Sequence, residues 1–284
     1  MFSSCSGVFS AGVLHRAMFF RANTAKLIKV ARHPLHVRLK IAKRYQRKFG
    51  VPLCFSFEQK LKGNFKTLIQ CLFSDQFDVQ ADFIVNALKH QNIYELMLYV
   101  LMMDNVGGVK GQLNIRYDIQ LEIAIKRLSN KPWAQLLAQW RENIVQVSVE
   151  QLHSAFKHKN ERMLIQIYSG INYENYKTIC DQYAAKYKET VECRIRKKFI
   201  HRDQECFLLC HHILYDKNNN IYTSVINSLQ KKNDRVTILL STVYAENVKE
   251  QLKVDRISHI LREIISNTNE YYQLLLCEVW NIIL

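Results

Sequence analysis

Apolar residues recur along the chain at the spacing expected for amphipathic helices. After the His33–Pro34 pair, for example, the apolar stripe of one helix consists of Val37, Ile41, Ala42 and Tyr45. The polar face of the same helix is filled by Arg38, Lys40, Lys43 and Lys48. Only 8 Gly and 3 Pro occur in 284 residues, which is too few for the many tight turns of a sheet-rich fold. The pattern therefore predicts an all-α protein.

A basic tetrapeptide recurs three times at almost even spacing. Its three forms are KHQN at 89–92, KHKN at 157–160 and QKKN at 230–233. Each follows a short apolar run, and a fourth run of this kind occurs near the start of the chain. The aligned positions of the four runs, which are 70, 68 and 73 residues apart, are Ala17, Ala87, Ala155 and Ser228. Self-similarity at a steady period is typical of repeat architectures.

Each period holds about five helical segments joined by short links. We therefore divide the chain into four copies of one unit: copy 1 at 9–73, copy 2 at 77–142, copy 3 at 146–215 and copy 4 at 219–284. Copies 1 to 3 have a Tyr at nearly the same distance from the aligned position. Copy 4 has Arg256 there and is more divergent. We expect the copies to pack through apolar faces into one compact body.

Positive charge is concentrated at the beginning of the chain. The formal net charge is +15, and residues 1–57 contain eleven Lys or Arg but no Asp or Glu. Such a surface attracts polyanions, among them acidic lipid headgroups and nucleic acid. The acid-free start is also similar to a mitochondrial presequence, although the same residues fit copy 1, and it lacks the features of a secretory signal peptide.

The eight Cys are scattered and form no CxxC pair, which favours reduced, buried thiols in a cytoplasmic protein. Cys206, Cys210 and His211 have helical spacing, but we interpret CFLLCHHIL as a buried helix rather than a zinc site. No apolar run reaches the length of a membrane-spanning helix. Because no nucleophile elbow, phosphate loop or HExxH sequence occurs, we predict no catalytic activity and no small-molecule substrate.

A unit of about 70 residues with five helices, repeated four times, resembles the annexins. LKGNFKTLIQCLFSDQFDVQADFIVNALK (61–89) is similar to the annexin junction between two repeats, and KIAKRYQRKFGVPL (40–53) to the third annexin helix and its exit. The short corners, together with LFSDQFDVQADFIVNAL and LLAQW, resemble more closely the alpha-giardins of diplomonad flagellates. The resemblance implies four annexin-like repeats in one compact curved disc. It also implies that the corner between the first and second helix of each copy lies on the convex face.

Annexin corners bind calcium through a Gly-x-Gly-Thr loop and a distant acidic residue near the start of the fifth helix, and the calcium bridges to acidic phospholipid. The corners of this chain read FFRANTA, KHQNIYE, KHKNERM and QKKNDRV, without Gly-x-Gly. At the distant position stand Lys60 in copy 1, Leu128 in copy 2 and a residue near Ile200 in copy 3, with Asp203 close by. We expect the usual calcium sites to be absent or weakened. No cofactor is required, and the candidates for a weak, non-standard calcium site are Glu95, Glu161 and Asp234.

In place of calcium, the corners offer fixed positive charges for anionic phospholipid membranes. The candidate lipid-binding residues are Arg21, Lys89, His90, Lys157, His158, Lys159, Lys231 and Lys232. The two His would add charge at mildly acidic pH. The alternative is that the corners are merely solvated. Phe19 and Phe20 could enter a membrane interface, but we expect them to pack back onto the body.

The leading hypothesis is a cytoplasmic protein that is peripheral at the plasma membrane, the cytoskeleton or flagella. A microtubule or another negatively charged cytoskeletal polymer is a further possible partner. A nucleic-acid binder that uses the basic copy 1 is an alternative, although the aromatic residues there follow core spacing rather than forming a stacking platform. Calcium-dependent lipid binding through non-standard sites and a scaffold that contacts only proteins stay open.

Overall fold

The computed structural model describes residues 11–18, 23–141, 147–171, 173–268 and 270–282. In these ranges all regular secondary structure is helical and no strand occurs, so the prediction of an all-α protein is confirmed. Among the same residues, no helix combines the length and the apolar character needed to cross a membrane.

The helices of copies 1 and 2 follow the order expected from the sequence. Copy 1 forms α1 (11–18), α2 (Thr24–Ala31), α3 (Leu35–Phe49), α4 (Leu53–Lys60) and α5 (Gly63–Leu72). Copy 2 forms α6 (Gln76–Lys89), α7 (Ile93–Leu101), α8 (Val106–Tyr117), α9 (Leu121–Leu128) and α10 (Pro132–Ala138).

Copy 3 repeats the helices of copy 1 in close register. It forms α11 (Val149–Lys157), α12 (Glu161–Gly170), α13 (Tyr173–Tyr187), α14 (Val191–Lys198) and α15 (His201–Tyr215). The third, fourth and fifth helices of copies 1 and 3 begin 138 residues apart, at 35 and 173, 53 and 191, and 63 and 201. A residue of α3, α4 or α5 can therefore be matched to its counterpart in copy 3 without a gap.

Copy 4 departs from this register, in agreement with its more divergent sequence. It forms α16 (Lys217–Gln230), α17 (Asp234–Val243), α18 (Ala245–Val248), a 3-10 turn (Lys249–Gln251), α19 (Val254–Asn267) and α20 (Glu270–Val279). Arg256 stands on α19, where its guanidinium carbon lies 5.0 Å from the centroid of the Tyr222 ring. Between α17 and α20, copy 4 thus has a four-residue helix, a 3-10 turn and α19 in place of the third and fourth helices of the other copies.

The chain divides into two compact units. The first consists of Met1–Val79 and Ile221–Leu284, so it combines copy 1 with copy 4. Within it, α5 packs against α17 and α20, and α2 also contacts α20. The second consists of Gln80–Asn220, where α10 packs against α12 and α15. Each unit has its own core of fully buried aliphatic and aromatic side chains, such as Leu68 and Ile69 in the first and Tyr168 and Phe207 in the second.

Arg38 is buried rather than placed on the polar face of α3, which corrects the expectation from the sequence. Its side chain is 6% exposed, and its Nε donates to the Leu72 carbonyl at 2.7 Å. Its Nη1 donates to the His33 carbonyl at 2.5 Å. These carbonyls lie at the ends of α5 and α2, where main-chain acceptors have no partner inside their own helix. Helical periodicity did not reveal this role because a guanidinium can satisfy helix ends that are distant in sequence.

Candidate anion-binding site

The three basic tetrapeptides form the same backbone turn, which we call corners 2, 3 and 4 after their copies. The third residue of each has positive φ: 51° at Gln91, 52° at Lys159 and 52° at Lys232. The Asn that follows donates its N–H to a carbonyl five residues earlier, at 3.0, 2.9 and 2.8 Å; the three acceptors are Ala87, Ala155 and Ser228. This pattern is a Schellman motif, which ends the first helix of copies 2, 3 and 4.

The final Asn of each tetrapeptide begins the second helix. The side-chain oxygens of Asn92, Asn160 and Asn233 accept the main-chain N–H of the residue three positions later, at 3.2, 3.1 and 3.3 Å. This is an N-cap, which satisfies a donor that the helix itself cannot. Asn23 caps α2 in the same way, at 3.1 Å. The recurrent Asn therefore has a structural cause, whereas the basic residues before it do not take part in the cap.

The basic side chains of the described corners face solvent. Those that are exposed are Lys89, His90, Lys157, His158, Lys159, Lys231 and Lys232. Arg21, Phe19 and Phe20 lie outside the described residues. Corners 2 and 3 belong to the second unit and corner 4 to the first.

The three candidate calcium ligands are in three different environments. Glu95 is buried in α7 with 3% exposure. Glu161 begins α12 and accepts a hydrogen bond from Lys198 Nζ at 3.0 Å. Asp234 begins α17 beside Tyr272, whose pKa is raised by burial first and by the Asp234 carboxylate second. A calcium ion needs six to eight converging oxygens, whereas the partner of the Glu161 carboxylate is a lysine ammonium group.

In copy 3, the position equivalent to Lys60 and Leu128 is Lys198, which is two residues from Ile200. Lys60, Leu128 and Lys198 are the last residues of α4, α9 and α14, so they are structurally equivalent. Asp203 does not compensate, because its carboxylate accepts the main-chain N–H of Trp133 at 2.9 Å. A lysine thus stands at this position in copy 3, and its ammonium group is paired with Glu161.

Three cations that the sequence analysis did not single out lie beside corner 3. Arg194, Lys197 and Lys198 of α14 line a cavity of about 510 Å³ together with Lys157 and Lys159. We call this cavity the basic pocket. The run RIRKK at 194–198 was visible in the sequence, but a charge run on a helix is usually a solvated face. Only the repeat register, which places the end of the fourth helix beside the corner, could have identified these residues.

A cluster of possible metal ligands occurs on α14 and α15. Among the described residues, ligand atoms of Glu192, His211 and His212 lie within 4.8 Å of one another. His211 Nδ1 is 2.7 Å from the Tyr176 hydroxyl, and burial lowers the pKa of His211 to about 4. Glu192 accepts a hydrogen bond from Arg196 at 2.7 Å. The imidazole of His211 is therefore neutral at physiological pH, which is the form that binds a metal.

The thiols of Cys206 and Cys210 point into the core instead. Both side chains are fully buried, and burial raises the pKa of each thiol well above its ordinary value. Their sulfur atoms lie 3.8 Å from the Trp133 carbonyl and 4.0 Å from the Tyr168 carbonyl. The interpretation of CFLLCHHIL as a buried helix is confirmed.

Comparison with known proteins places this geometry among the annexins. No protein-family model matches the chain. Giardin subunit alpha-1 of Giardia intestinalis is 25% identical to this chain over 190 residues. The alignment spans 62% of this chain and 64% of that relative, so the chain matches less than two thirds of the relative's length. Calcium-bound alpha-1 giardin has a TM-score of 0.83 at 19% identity over 98% of this chain and 99% of its own. Chicken annexin V in complex with Zn²⁺ has a TM-score of 0.86 at 17% identity over 100% of this chain and 98% of its own.

The similarity to solved structures extends over nearly the whole chain at low sequence identity. The helical fold is therefore what the chain shares with these proteins. The resemblance to the annexins, and among them to the alpha-giardins, is confirmed, and the chain has the annexin fold.

Proposed function

We propose that the chain is a peripheral membrane protein that binds anionic phospholipid through its basic corners without a bridging calcium ion. The observation that carries this proposal is the identical backbone turn of corners 2, 3 and 4, each with exposed cations in it. A lysine near an anionic bilayer contributes about 1 kcal/mol of attraction. Several lysines presented in this way would give useful affinity, and we assign no catalytic step to the protein.

The donor atoms at the corners support calcium-independent binding. In copy 3, Lys198 stands where the resemblance to the annexins implies an acidic residue, and the Glu161 carboxylate accepts its hydrogen bond at 3.0 Å. Relatives with this fold include calcium-bound alpha-1 giardin. Calcium-dependent binding is therefore the competing proposal. Vesicle binding in EDTA separates the two proposals.

The test is cosedimentation with phosphatidylserine vesicles in EDTA at several salt concentrations. We expect binding without calcium that weakens as salt rises, because exposed charges are screened within about 8 Å at physiological ionic strength. Binding that requires calcium and is indifferent to salt would overturn the proposal. Neutral phosphatidylcholine vesicles give the background.

Charge reversal at the corners identifies the surface that binds. The test variant changes Lys89, Lys157 and Lys231 to Glu. The matched control changes Lys43, Lys177 and Lys253 to Glu, because these lysines are also exposed but lie outside the corners. We expect the corner variant to lose most binding and the control to retain most of it. Equal losses would show that overall charge, rather than the corners, attracts the membrane.

A negatively charged cytoskeletal polymer would recognise the same cations. Cosedimentation with microtubules, using the same two variants, tests this second partner. A gel-shift titration with nucleic acid at equal salt tests the polyanion alternative. Affinity for nucleic acid above that for vesicles, unchanged in the corner variant, would favour the alternative.

A further inference from the structure

The basic pocket lies in copy 3, between corner 3 and the end of α14. Its cationic lining consists of Lys157, Lys159, Arg194, Lys197 and Lys198. At about 510 Å³ it is much larger than a single phosphate or a hydrated metal ion requires. Its size and its lining both indicate an anionic ligand with more than one charged group.

Two carboxylates partly neutralise these cations. Glu189 pairs with Lys197 at 2.6 Å and with Arg194 Nε at 2.6 Å, and it fixes both side chains. Glu161 pairs with Lys198 at 3.0 Å. Five cations against two carboxylates leave a formal excess of three positive charges around the cavity. A phosphate monoester carries about −1.5 to −2 at neutral pH, so two phosphates match this excess.

His153 lines the pocket, and its pKa responds to the charges around it. Its pKa is lowered by burial first and then by the positive charges of Arg194 and Lys157. Its ring is held in place by a stack on Tyr187, with centroids 3.7 Å apart. An anion bound in the pocket would raise the pKa of His153 again, which gives a local spectroscopic readout.

Copy 1 provides a natural comparison within the same molecule. A cavity of about 380 Å³ stands at the equivalent place, and we call it the apolar pocket. Ser56, Gln59 and Lys60 occupy the positions of Arg194, Lys197 and Lys198, because α4 and α14 are 138 residues apart throughout. Phe55, which is 54% exposed, adds apolar surface there. Arg194 and Lys197 therefore have no cationic counterpart in α4, so the fold does not require them.

We infer that the basic pocket binds a ligand with two or more phosphate groups directly, with Arg194, Lys197 and Lys198 in the place of a bridging metal ion. Arginine binds phosphate through a bidentate fork and lysine as a point charge, so the mixed set suits several phosphate oxygens. The phosphate groups can belong to a phosphoinositide headgroup or to a soluble inositol phosphate. In the lipid case this inference rests on the proposed membrane binding; in the soluble case it does not.

Calorimetric titration with inositol trisphosphate in EDTA tests the soluble case. The test variant combines Arg194→Ser with Lys197→Gln, the residues found at the equivalent positions of copy 1. The control combines Lys126→Gln with Arg127→Ser, which removes equal charge from the corresponding helix of copy 2. We expect the test variant to lose at least about tenfold in affinity, because hydrogen bonds to charged groups are removed, and the control to lose little. An equal loss in both variants would overturn the inference, and thermal unfolding of each variant establishes that it is folded.

Two further measurements are specific to this arrangement. Glu161→Gln should raise the affinity, since it frees Lys198 from its partner and removes a negative charge, whereas loss of binding would contradict the inference. NMR titration of His153 should show its pKa rising when inositol trisphosphate is added to the wild-type protein. An unchanged pKa of His153 on ligand binding would place the ligand elsewhere.

Vesicles distinguish the two sources of phosphate. Phosphatidylinositol bisphosphate vesicles are compared with phosphatidylserine vesicles of equal total charge. A preference for the bisphosphate that disappears in the test variant supports the lipid source. If phosphatidylserine binding persists while neither bisphosphate preference nor inositol trisphosphate binding is seen, the pocket inference fails and the proposed function stands. If inositol trisphosphate binds but no vesicle does, the proposed function fails and the pocket inference stands.

Discussion

The imidazole of His153 stacks on the phenol ring of Tyr187 with an interplanar angle of 9°. In copy 1, His15 stacks on Phe49 at 3.9 Å and 6°. In both copies the Nδ1 atom of the histidine also lies 3.2 Å from the hydroxyl of the tyrosine four positions before the stacked ring. The basic and apolar pockets are therefore built on one frame, and their chemistry differs through the side chains placed around it.

This shared frame predicts that the copy 3 chemistry can be transferred to copy 1. We expect Ser56→Arg with Gln59→Lys to give the apolar pocket a measurable affinity for inositol trisphosphate. The measurement uses a protein in which the basic pocket is disabled by Arg194→Ser and Lys197→Gln. The neutral variant Ser56→Gln controls for side-chain bulk. Absence of binding would mean that corner 3 itself, and not only α14, supplies essential contacts.

Salt dependence should follow the number of lysines in the corners. Each Lys→Glu reversal at Lys89, Lys157 or Lys231 should weaken vesicle binding by at least about 1 kcal/mol, a factor of about five. The triple variant should therefore lose on the order of 100-fold at low salt. Its binding should also respond less steeply to added salt than that of the wild-type protein. Cosedimentation over a salt series measures both quantities, and parallel salt curves for the two proteins would contradict the assignment.

The left-handed residue of each corner predicts a local stabilisation. Gln91 has φ of 51°, which an L-residue adopts at a cost of about 1 kcal/mol and glycine adopts freely. We expect Gln91→Gly to raise the free energy of unfolding by up to about 1 kcal/mol without a change of charge. Gln91→Ala should give no such gain. Asn92→Ala should lower stability by about 1 kcal/mol through loss of the N-cap. Urea unfolding of the three variants and the wild-type protein measures these differences in the free energy of unfolding.

The buried guanidinium of Arg38 should be important for stability. Arg38→Met leaves the carbonyls of Leu72 and His33 without their donor, and we expect a loss of about 3 kcal/mol or more in the free energy of unfolding. The control is Arg32→Met, because Arg32 is an exposed arginine with a surface ion pair to Glu278. Exposed pairs contribute about 0–1 kcal/mol. Similar losses in the two variants would show that the buried hydrogen bonds of Arg38 do not stabilise the fold as described.

Acid should destabilise the protein partly through His211. Burial lowers its pKa from 6.5 to about 4, so the unfolded chain binds this proton at pH values where the folded protein does not. Stability from this group is present above pH 6.5 and is lost as the pH falls toward 4. We expect a contribution of about 3 kcal/mol over that range. His211→Gln should flatten the dependence of unfolding free energy on pH, which urea unfolding over a series of pH values measures; an unchanged dependence would contradict this role of His211.

Periodicity and repeat spacing were sufficient to predict the helical fold. The helical spacing of Ile41 and Tyr45 correctly identified the buried stripe of α3, because the burial of apolar side chains determines which face of a helix turns inward. Arg38 was misplaced because its partners, the ends of α2 and α5, become neighbours only after folding. Counting residues from the corner led to the neighbourhood of Ile200, whereas the ends of the helices make Lys198 the equivalent of Lys60. The Lys198–Glu161 pair joins residues 37 positions apart in the sequence, so counting within one segment could not find it.

The pairing of copy 1 with copy 4 in the first unit has a consequence for folding during synthesis on the ribosome. Copy 1 is synthesised before copy 4, yet α5 and α2 pack against helices of copy 4. Residues 80–220 form a compact unit of their own and can fold as soon as they have left the exit tunnel. The segment that carries α5 must wait until copy 4 has been synthesised, with its contacts to α17 and α20 unformed in the meantime. Premature termination before copy 4 should therefore yield a chain that chaperones retain, whereas an excised central segment should be released.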